Sequence, residues 1–198
     1  MPQGKFGATS DTPDRLLLDA GVIYKNYDLE EIDDNGGTDA EKLGATRGGA
    51  SWSLGREFEN IDYDGALGPT KGMVRRSNIE PTIDADLLEF TKERLKEIIA
   101  GSTTDDIGTN GTEVIKGGEI DDDSYIDNIT YVGTISGQDD PVIVQIENVL
   151  VDGDWDVDTD DEDEAVLPLT FAAHFDLDEI DEDGNLIEPW AIYMPDEE

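Results

Sequence analysis

The feature that most constrains this chain is its charge. Its 198 residues include 50 acidic and only 13 basic side chains, which gives a formal net charge of -37. A surface of this kind repels itself and strains the compact state when salt is low. At ~1 M salt the screening length falls to ~3 Å, and most of the repulsion disappears. The composition therefore predicts a protein adapted to concentrated salt. The alternative is an acidic protein that works at ordinary salt concentration and whose carboxylates bind cations or repel DNA.

The excess of acid lies mainly in the second half of the sequence. Residues 1–100 hold 20 acidic and 12 basic residues, whereas residues 101–198 hold 30 acidic residues and one base, Lys116. Tight binding to nucleic-acid phosphates requires clustered Lys and Arg. The second half is therefore not expected to bind nucleic acid or an anionic membrane surface.

Cysteine is missing from the sequence, so disulfides and thiolate sites are excluded. The start of the chain has no apolar segment of the kind found in signal peptides, and no apolar stretch is long enough to cross a membrane. We expect a protein that is made in the cytosol and has no membrane partner.

The hydrophobic residues fall in patches, which predicts a folded domain rather than a disordered chain. Most patches are rich in β-branched and aromatic residues, which favour strands. Together, the predicted elements indicate a mainly β fold, an antiparallel sandwich or barrel with one short α-helix packed outside. The predicted strands are residues 21–27, 50–58, 77–88, 113–116, 125–136, 142–151, 165–175 and 190–193.

One helix is predicted over residues 92–100. Thr91 can cap its start, and Gly101 can supply the left-handed end. Leu95, Ile98 and Ile99 form its apolar stripe.

Residues 1–198 are expected to form a single domain. Its irregular parts are a flexible lead-in (1–14), a long loop (61–76) and two acidic loops (152–164 and 176–188). The predicted core includes the residues Trp52, Phe58, Leu95, Ile98, Leu169 and Phe171.

The sequence contains no catalytic motif that identifies an active site. The sequence has no dinucleotide or phosphate-loop glycine pattern, and its only histidine is His174. The strand pattern places His174 opposite Leu169 and Phe171, as a half-exposed strand residue. With 50 carboxylates, close acid pairs arise by chance. An enzyme is not expected.

Two acidic runs resemble cation-binding loops. Asp152, Asp154 and Asp156 alternate along one run, and Asp181 and Asp183 lie in the other. The first lacks the glycine of an EF-hand, and the second lacks its final glutamate. We expect solvated hairpin ends that weakly bind Na⁺, K⁺ or Ca²⁺ in strong salt, and no cofactor.

Residues 15–101 and 166–195 contain pieces of a known pattern. A glycine-containing strand at Trp52 precedes the segment Asp64–Ile79, which includes Gly-Pro-x-Lys-Gly and the pair Arg75–Arg76. A strand, a threonine and a short helix follow, and the chain later runs from Pro168 through His174 to Trp190. The sequence thus resembles major tail tube proteins of long-tailed phages. Together with the acidity, this suggests a virus of halophilic archaea. The aspartate-rich segments 152–164 and 176–188 depart from the family pattern.

The resemblance implies a structural virion protein whose copies form stacked hexameric rings. The rings would form the tail tube, which encloses the tape-measure protein and later passes the viral DNA through its lumen without specific binding. Further partners would be the tail terminator and distal tail proteins. The segment with Pro69, Lys71, Arg75 and Arg76 would contact a neighbouring ring or subunit.

Other function classes fit the same composition. A capsid decoration or head–tail joining protein would share the β fold and the acidity without forming a tube. A secreted cation-binding module would use the aspartate runs directly.

We expect the free energy of unfolding to increase between ~0.1 M and ~3 M KCl, because screening relieves repulsion among the carboxylates. Thermal unfolding followed by circular dichroism at the two concentrations measures the change. An unchanged or lower midpoint in strong salt would contradict the interpretation of the charge as salt adaptation.

Overall fold

The computed structural model describes residues 7–107, 112–153, 157, 159 and 163–195. These residues contain one α-helix, α1 (Lys92–Ile98), and three short 3-10 turns (Thr12–Arg15, Leu29–Asp34 and Asp122–Ser124). The strands are β1 (Leu17–Lys25), β2 (Glu41–Lys42), β3 (Thr46–Asn60), β4 (Val74–Leu87), β5 (Thr103–Ile107), β6 (Thr112–Lys116), β7 (Ile126–Ile135), β8 (Val142–Asp152), β9 (Leu167–Ala172) and β10 (Trp190–Tyr193).

The strands pair only in antiparallel fashion among the described residues. The main sheet runs in the order β2-β1-β7-β8-β9-β4-β3, and β10 also pairs with β8; β5 and β6 form a separate hairpin. The architecture is mainly β and sandwich-like, without a closed barrel among these residues. The predicted fold class is thereby confirmed, as a sandwich.

Strand β8 joins the two layers of the sandwich. One edge of β8 pairs with β7, and the other pairs first with β10 over residues 143–146 and then with β9 over residues 150–152. Asn148 lies between these two pairings in a left-handed conformation, with φ of 52°. This conformation is accessible to asparagine, and it marks the point where the partner of β8 changes.

Side chains from both layers meet in one main core. Ile83 and Ala85 of β4 lie opposite Phe171 and Leu169 of β9, and all four are buried. Alternation along β4 places Ile79, Pro81, Ile83, Ala85 and Leu87 on the inner face. From β7 and β8 the core receives Ile129, Tyr131, Val142, Val144, Ile146 and Val149.

The helix begins where the sequence predicted. The Thr91 side chain accepts a hydrogen bond from the Arg94 backbone N–H at 3.2 Å, and Ile98 is buried in the main core. Leu95 is only half-buried. The helix ends at Ile98 rather than residue 100, and Gly101 adopts φ of 65°.

An ionic cluster connects the helix to the first two strands. The Arg94 guanidinium donates to Glu97 at 2.8 Å, to Glu41 at 2.8 Å and to the Lys42 carbonyl at 2.9 Å. Lys25 of β1 donates to Glu97 at 2.5 Å. The nearly buried guanidinium is therefore paired on several sides, as a buried charge requires.

The predictions for three core residues are wrong: Leu95 is only half-buried and lies outside the core clusters, and two others are exposed. Trp52 is 42% exposed and Phe58 is 62% exposed, although Ile98, Leu169 and Phe171 are buried. Both exposed residues lie on β3, which pairs only with β4 among the described residues. Phe58 lies beyond the core, whereas Trp52 lies opposite the buried Ile83 and is exposed because β3 is the edge strand of the sheet.

Several strand boundaries also differ from the predictions. No strand was predicted over the residues of β2 and β5, and β9 ends at Ala172, so Phe175 is exposed beyond it. β4 begins at Val74, inside the segment predicted as a long loop. Among the remaining predicted strands, the ends shift by up to about four residues, while β10 matches its prediction.

Replacing Phe171 with Ala should destabilise the fold by about 3–5 kcal/mol, because a buried ring is lost and a cavity is left behind. The same change at Phe58 should alter stability by less than about 0.5 kcal/mol. Chemical unfolding of both variants in strong salt checks the pair. Equal losses in the free energy of unfolding at the two positions would contradict the assignment of Phe171 to the core and of Phe58 to the surface.

Candidate functional site

The outer half of the β3–β4 hairpin extends past the core. We call residues 56–78 the arm; it comprises the end of β3, the loop 61–73 and the start of β4. Every inward-facing residue of β4 from Ile79 onward is buried, whereas none in the arm is buried. The hairpin is therefore held by the sandwich at one end and exposed to solvent at the other.

The loop at the end of the arm has its own hydrogen bonds. The Ile61 N–H donates to the Met73 carbonyl at 2.8 Å, which continues the strand ladder by one pair. The Ala66 N–H donates to the Tyr63 carbonyl and the Met73 N–H donates to the Thr70 carbonyl, each closing a turn. These bonds give the arm a defined shape.

Several large apolar side chains on the arm are exposed to solvent. Leu67 is fully exposed in the loop, and Phe58 is 62% exposed on β3. Ile61, Tyr63 and Val74 are each nearly half exposed. Apolar side chains that are exposed together in this way mark interaction surfaces.

The arm also differs from the rest of the chain in charge. It contains four bases (Arg56, Lys71, Arg75 and Arg76) and four acids (Glu57, Glu59, Asp62 and Asp64), so its net charge is zero in a chain of -37. A second copy of such a chain meets the least electrostatic repulsion at a neutral surface.

The structure separates the residues predicted to form an inter-subunit contact. Pro69 and Lys71 lie in the loop, whereas Arg75 and Arg76 lie on β4. Arg75 Nη2 donates to Glu59 Oε2 at 2.6 Å across the hairpin, and Arg76 forms an ion pair with Glu188. The placement of the two arginines in a mobile loop is therefore wrong.

Two cations of the arm remain without an acidic partner among the described residues. Arg56 and Lys71 are exposed, and no ion pair or hydrogen bond joins their side chains to another described residue. In a strongly acidic chain, cations of this kind are suited to pairing with another molecule. The sequence interpretation missed Arg56, whose signal was its place beside Phe58 on an edge strand.

A second exposed surface lies near the end of the chain. We call residues 175–194 the C-terminal strip; it contains seven acidic residues and no basic one. Its eight exposed large apolar side chains are Phe175, Leu177, Ile180, Leu186, Ile187, Ile192, Tyr193 and Met194. The segment 176–188 was interpreted as a salt-adapted loop, and the apolar residues between its acids were the overlooked signal.

Side-chain hydrogen bonds give the strip a fixed shape. Asp181 accepts from the backbone N–H groups of Asp183 at 2.9 Å and Asn185 at 2.8 Å, and these bonds lower the pKa of its carboxyl. Glu188 accepts from Trp190 Nε1 at 2.8 Å while pairing with Arg76. Glu188 therefore connects the strip to the base of the arm.

The predicted cation ligands that the structure describes form no metal-binding group. Asp181 closes the turn just described, Asp183 is exposed, and Asp152 accepts from the Gly153 N–H. Asp154 and Asp156 lie outside the described residues. Within the part of the chain that is described, no three His, Asp or Glu side chains are arranged to hold a metal ion.

His174 lies just beyond β9 and is half-buried. Its Nδ1 lies 3.2 Å from the Asn148 carbonyl and 3.1 Å from the Ala172 carbonyl, so this nitrogen donates. Its ring meets that of Tyr125 edge-to-face. These contacts hold β8 at the point where its pairing changes from β10 to β9. They indicate that His174 has a structural role.

Comparison of the sequence with protein-family models and with curated proteins finds no match. In the described residues, no helix is both long and apolar enough to span a membrane.

Two half-buried glutamates have pKa values shifted in opposite directions. Burial alone would raise the pKa of Glu97, but hydrogen bonds from Lys25 and Arg94 outweigh it, so the pKa lies below 4.5. Burial, with a smaller effect from Glu179, raises the pKa of Glu147 above 4.5. Glu97 therefore stabilises the fold when charged, whereas charged Glu147 destabilises it.

At about pH 7 we expect Glu97→Gln to lower the free energy of unfolding and Glu147→Gln to raise it. Both differences from the parent protein should shrink as the pH falls well below 4.5, where both glutamates become protonated in the unfolded and folded states. Urea unfolding at about pH 7 and pH 3.5 measures the two differences. Shifts of the same sign for both variants would contradict the assignment.

Proposed function

We propose that this protein is a structural, non-enzymatic subunit that assembles with copies of itself into the tail tube of a virus. The observation that carries the proposal is the arm: a hairpin that extends past the core, has zero net charge and exposes apolar side chains. The resemblance of residues 15–101 and 166–195 to major tail tube proteins gives the assembly its form, hexameric rings stacked into a tube.

The arm supports self-assembly on physical grounds. Exposed Phe58 and Leu67 lose unfavourable hydration when another surface covers them. A chain of -37 opposes association over most of its surface, and strong salt removes much of that opposition. Because the arm is neutral, short-range apolar contact there meets little electrostatic repulsion.

The tube role also agrees with the charge distribution. A lumen lined by carboxylates, with few Lys or Arg side chains, would offer DNA phosphates no strong contacts, so the genome could slide through it. In strong salt the repulsion is short-ranged, and the scarcity of cations matters more than the field. The tape-measure, tail terminator and distal tail proteins would be the further partners of the tube, in a virion assembled in the cytoplasm of a halophilic host.

Replacing Phe58 and Leu67 together with Asp should abolish assembly in ~3 M KCl and leave the monomer folded, because both side chains are exposed. Negative-stain electron microscopy and sedimentation detect rings or tubes, and thermal unfolding checks the fold. The expected change in stability is below about 0.5 kcal/mol.

The matched control is Ile107→Asp, which places an acid at an exposed apolar position on the separate β5–β6 hairpin, outside the arm and the strip. It should assemble like the parent protein. Tubes of normal length from the arm variant would overturn the role of the arm. A parent protein that stays monomeric at every concentration in strong salt would overturn the proposed function.

A further inference from the structure

We propose that the arm of one copy docks on the C-terminal strip of a second copy. This inference rests on the proposed function, since it names the surface that receives the arm in the assembly. The strip is residues 175–194, a segment to which the resemblance assigns no role.

The apolar content of the strip matches that of the arm. The strip exposes eight large apolar side chains, including Leu177 at 76% and Met194 at 62%. Burial of such side chains against Phe58 and Leu67 would supply the non-directional part of the contact. Strand β10 pairs on one edge with β8 within the described residues, which leaves its backbone available beside these side chains.

The charges of the two surfaces are complementary. The strip holds seven acids and no base, whereas the arm carries Arg56 and Lys71 without acidic partners among the described residues. Within the strip, Asp178, Glu182 and Asp183 are exposed, and none accepts a side-chain hydrogen bond from a described residue. Complementary charge of this kind sets the register and selects the partner.

One contact inside the chain already joins the two elements. Arg76 at the base of the arm pairs with Glu188 of the strip in the same copy. Leu67 and Leu177 remain exposed to solvent despite this contact, so the end of the arm does not cover its own strip. A second copy is therefore the occupant that satisfies both surfaces.

The other exposed apolar surfaces fit the arm less well. Leu16, Leu17 and Leu18 are each nearly half exposed at the start of β1, but this site has no comparable run of acids and lies next to Arg15. The exposed Ile107 lies on the β5–β6 hairpin, where Asp105 is already paired with Lys116 at 2.5 Å.

Cysteine cross-linking tests the contact directly, because the natural chain has no cysteine. Leu67→Cys in one preparation and Leu177→Cys in another are mixed as monomers, assembled in ~3 M KCl and oxidised. A disulfide between the two chains is expected. Leu67→Cys mixed with Leu17→Cys is the control, since Leu17 is exposed on β1 outside the strip.

Three outcomes are distinguishable, with rings or tubes scored by electron microscopy in the same samples. Docking on the strip is supported if assemblies form a cross-link between positions 67 and 177 and the control mixture forms none between positions 67 and 17. Assemblies without that cross-link, or with equal cross-linking to position 17, overturn the docking site and leave the proposed function intact. The lack of any assembly from the parent protein and both mixtures overturns the two together.

Discussion

The structure depends on strand β8 being shared by the two layers of the sandwich. Its first half pairs with β10 and its last residues pair with β9, and Asn148 turns the chain between the two. His174 holds this point by donating to the Asn148 carbonyl. Strand β9 pairs with β4 only over residues 82–87, so β4 and β3 continue beyond it and form the arm.

The charge of the chain and the position of the arm belong to one physical account. Repulsion among the carboxylates acts everywhere on the surface except where bases balance acids, and the arm is balanced. The arm also carries apolar side chains that the fold leaves exposed. The proposed association through the arm would thus follow from repulsion over the rest of the surface, and the salt concentration would set the strength of that repulsion.

Much of the fold could be predicted because its signals are local. Thr91 sets the start of the helix, and residues 77–88 were predicted as a strand, within which Ile83, Ala85 and Leu87 alternate with acidic residues. Trp52 and Phe58 share the same alternation, yet both are exposed, since an alternating pattern shows that a strand has two faces and not that a second layer covers one. Among the site residues, Pro69 and Lys71 lie in the arm's loop as expected, while Arg56 and the strip were missed.

The sequence by itself determined the mainly β class, the short helix, the acidity and the absence of cysteine, because each follows from composition or from neighbours along the chain. Only the tertiary structure decided that Arg76 pairs with Glu188, that Lys71 and Arg56 remain without acidic partners among the described residues, and that residues 56–78 extend past the core. These facts depend on which strands lie side by side, and pairing between distant segments is set by the packing of the whole chain.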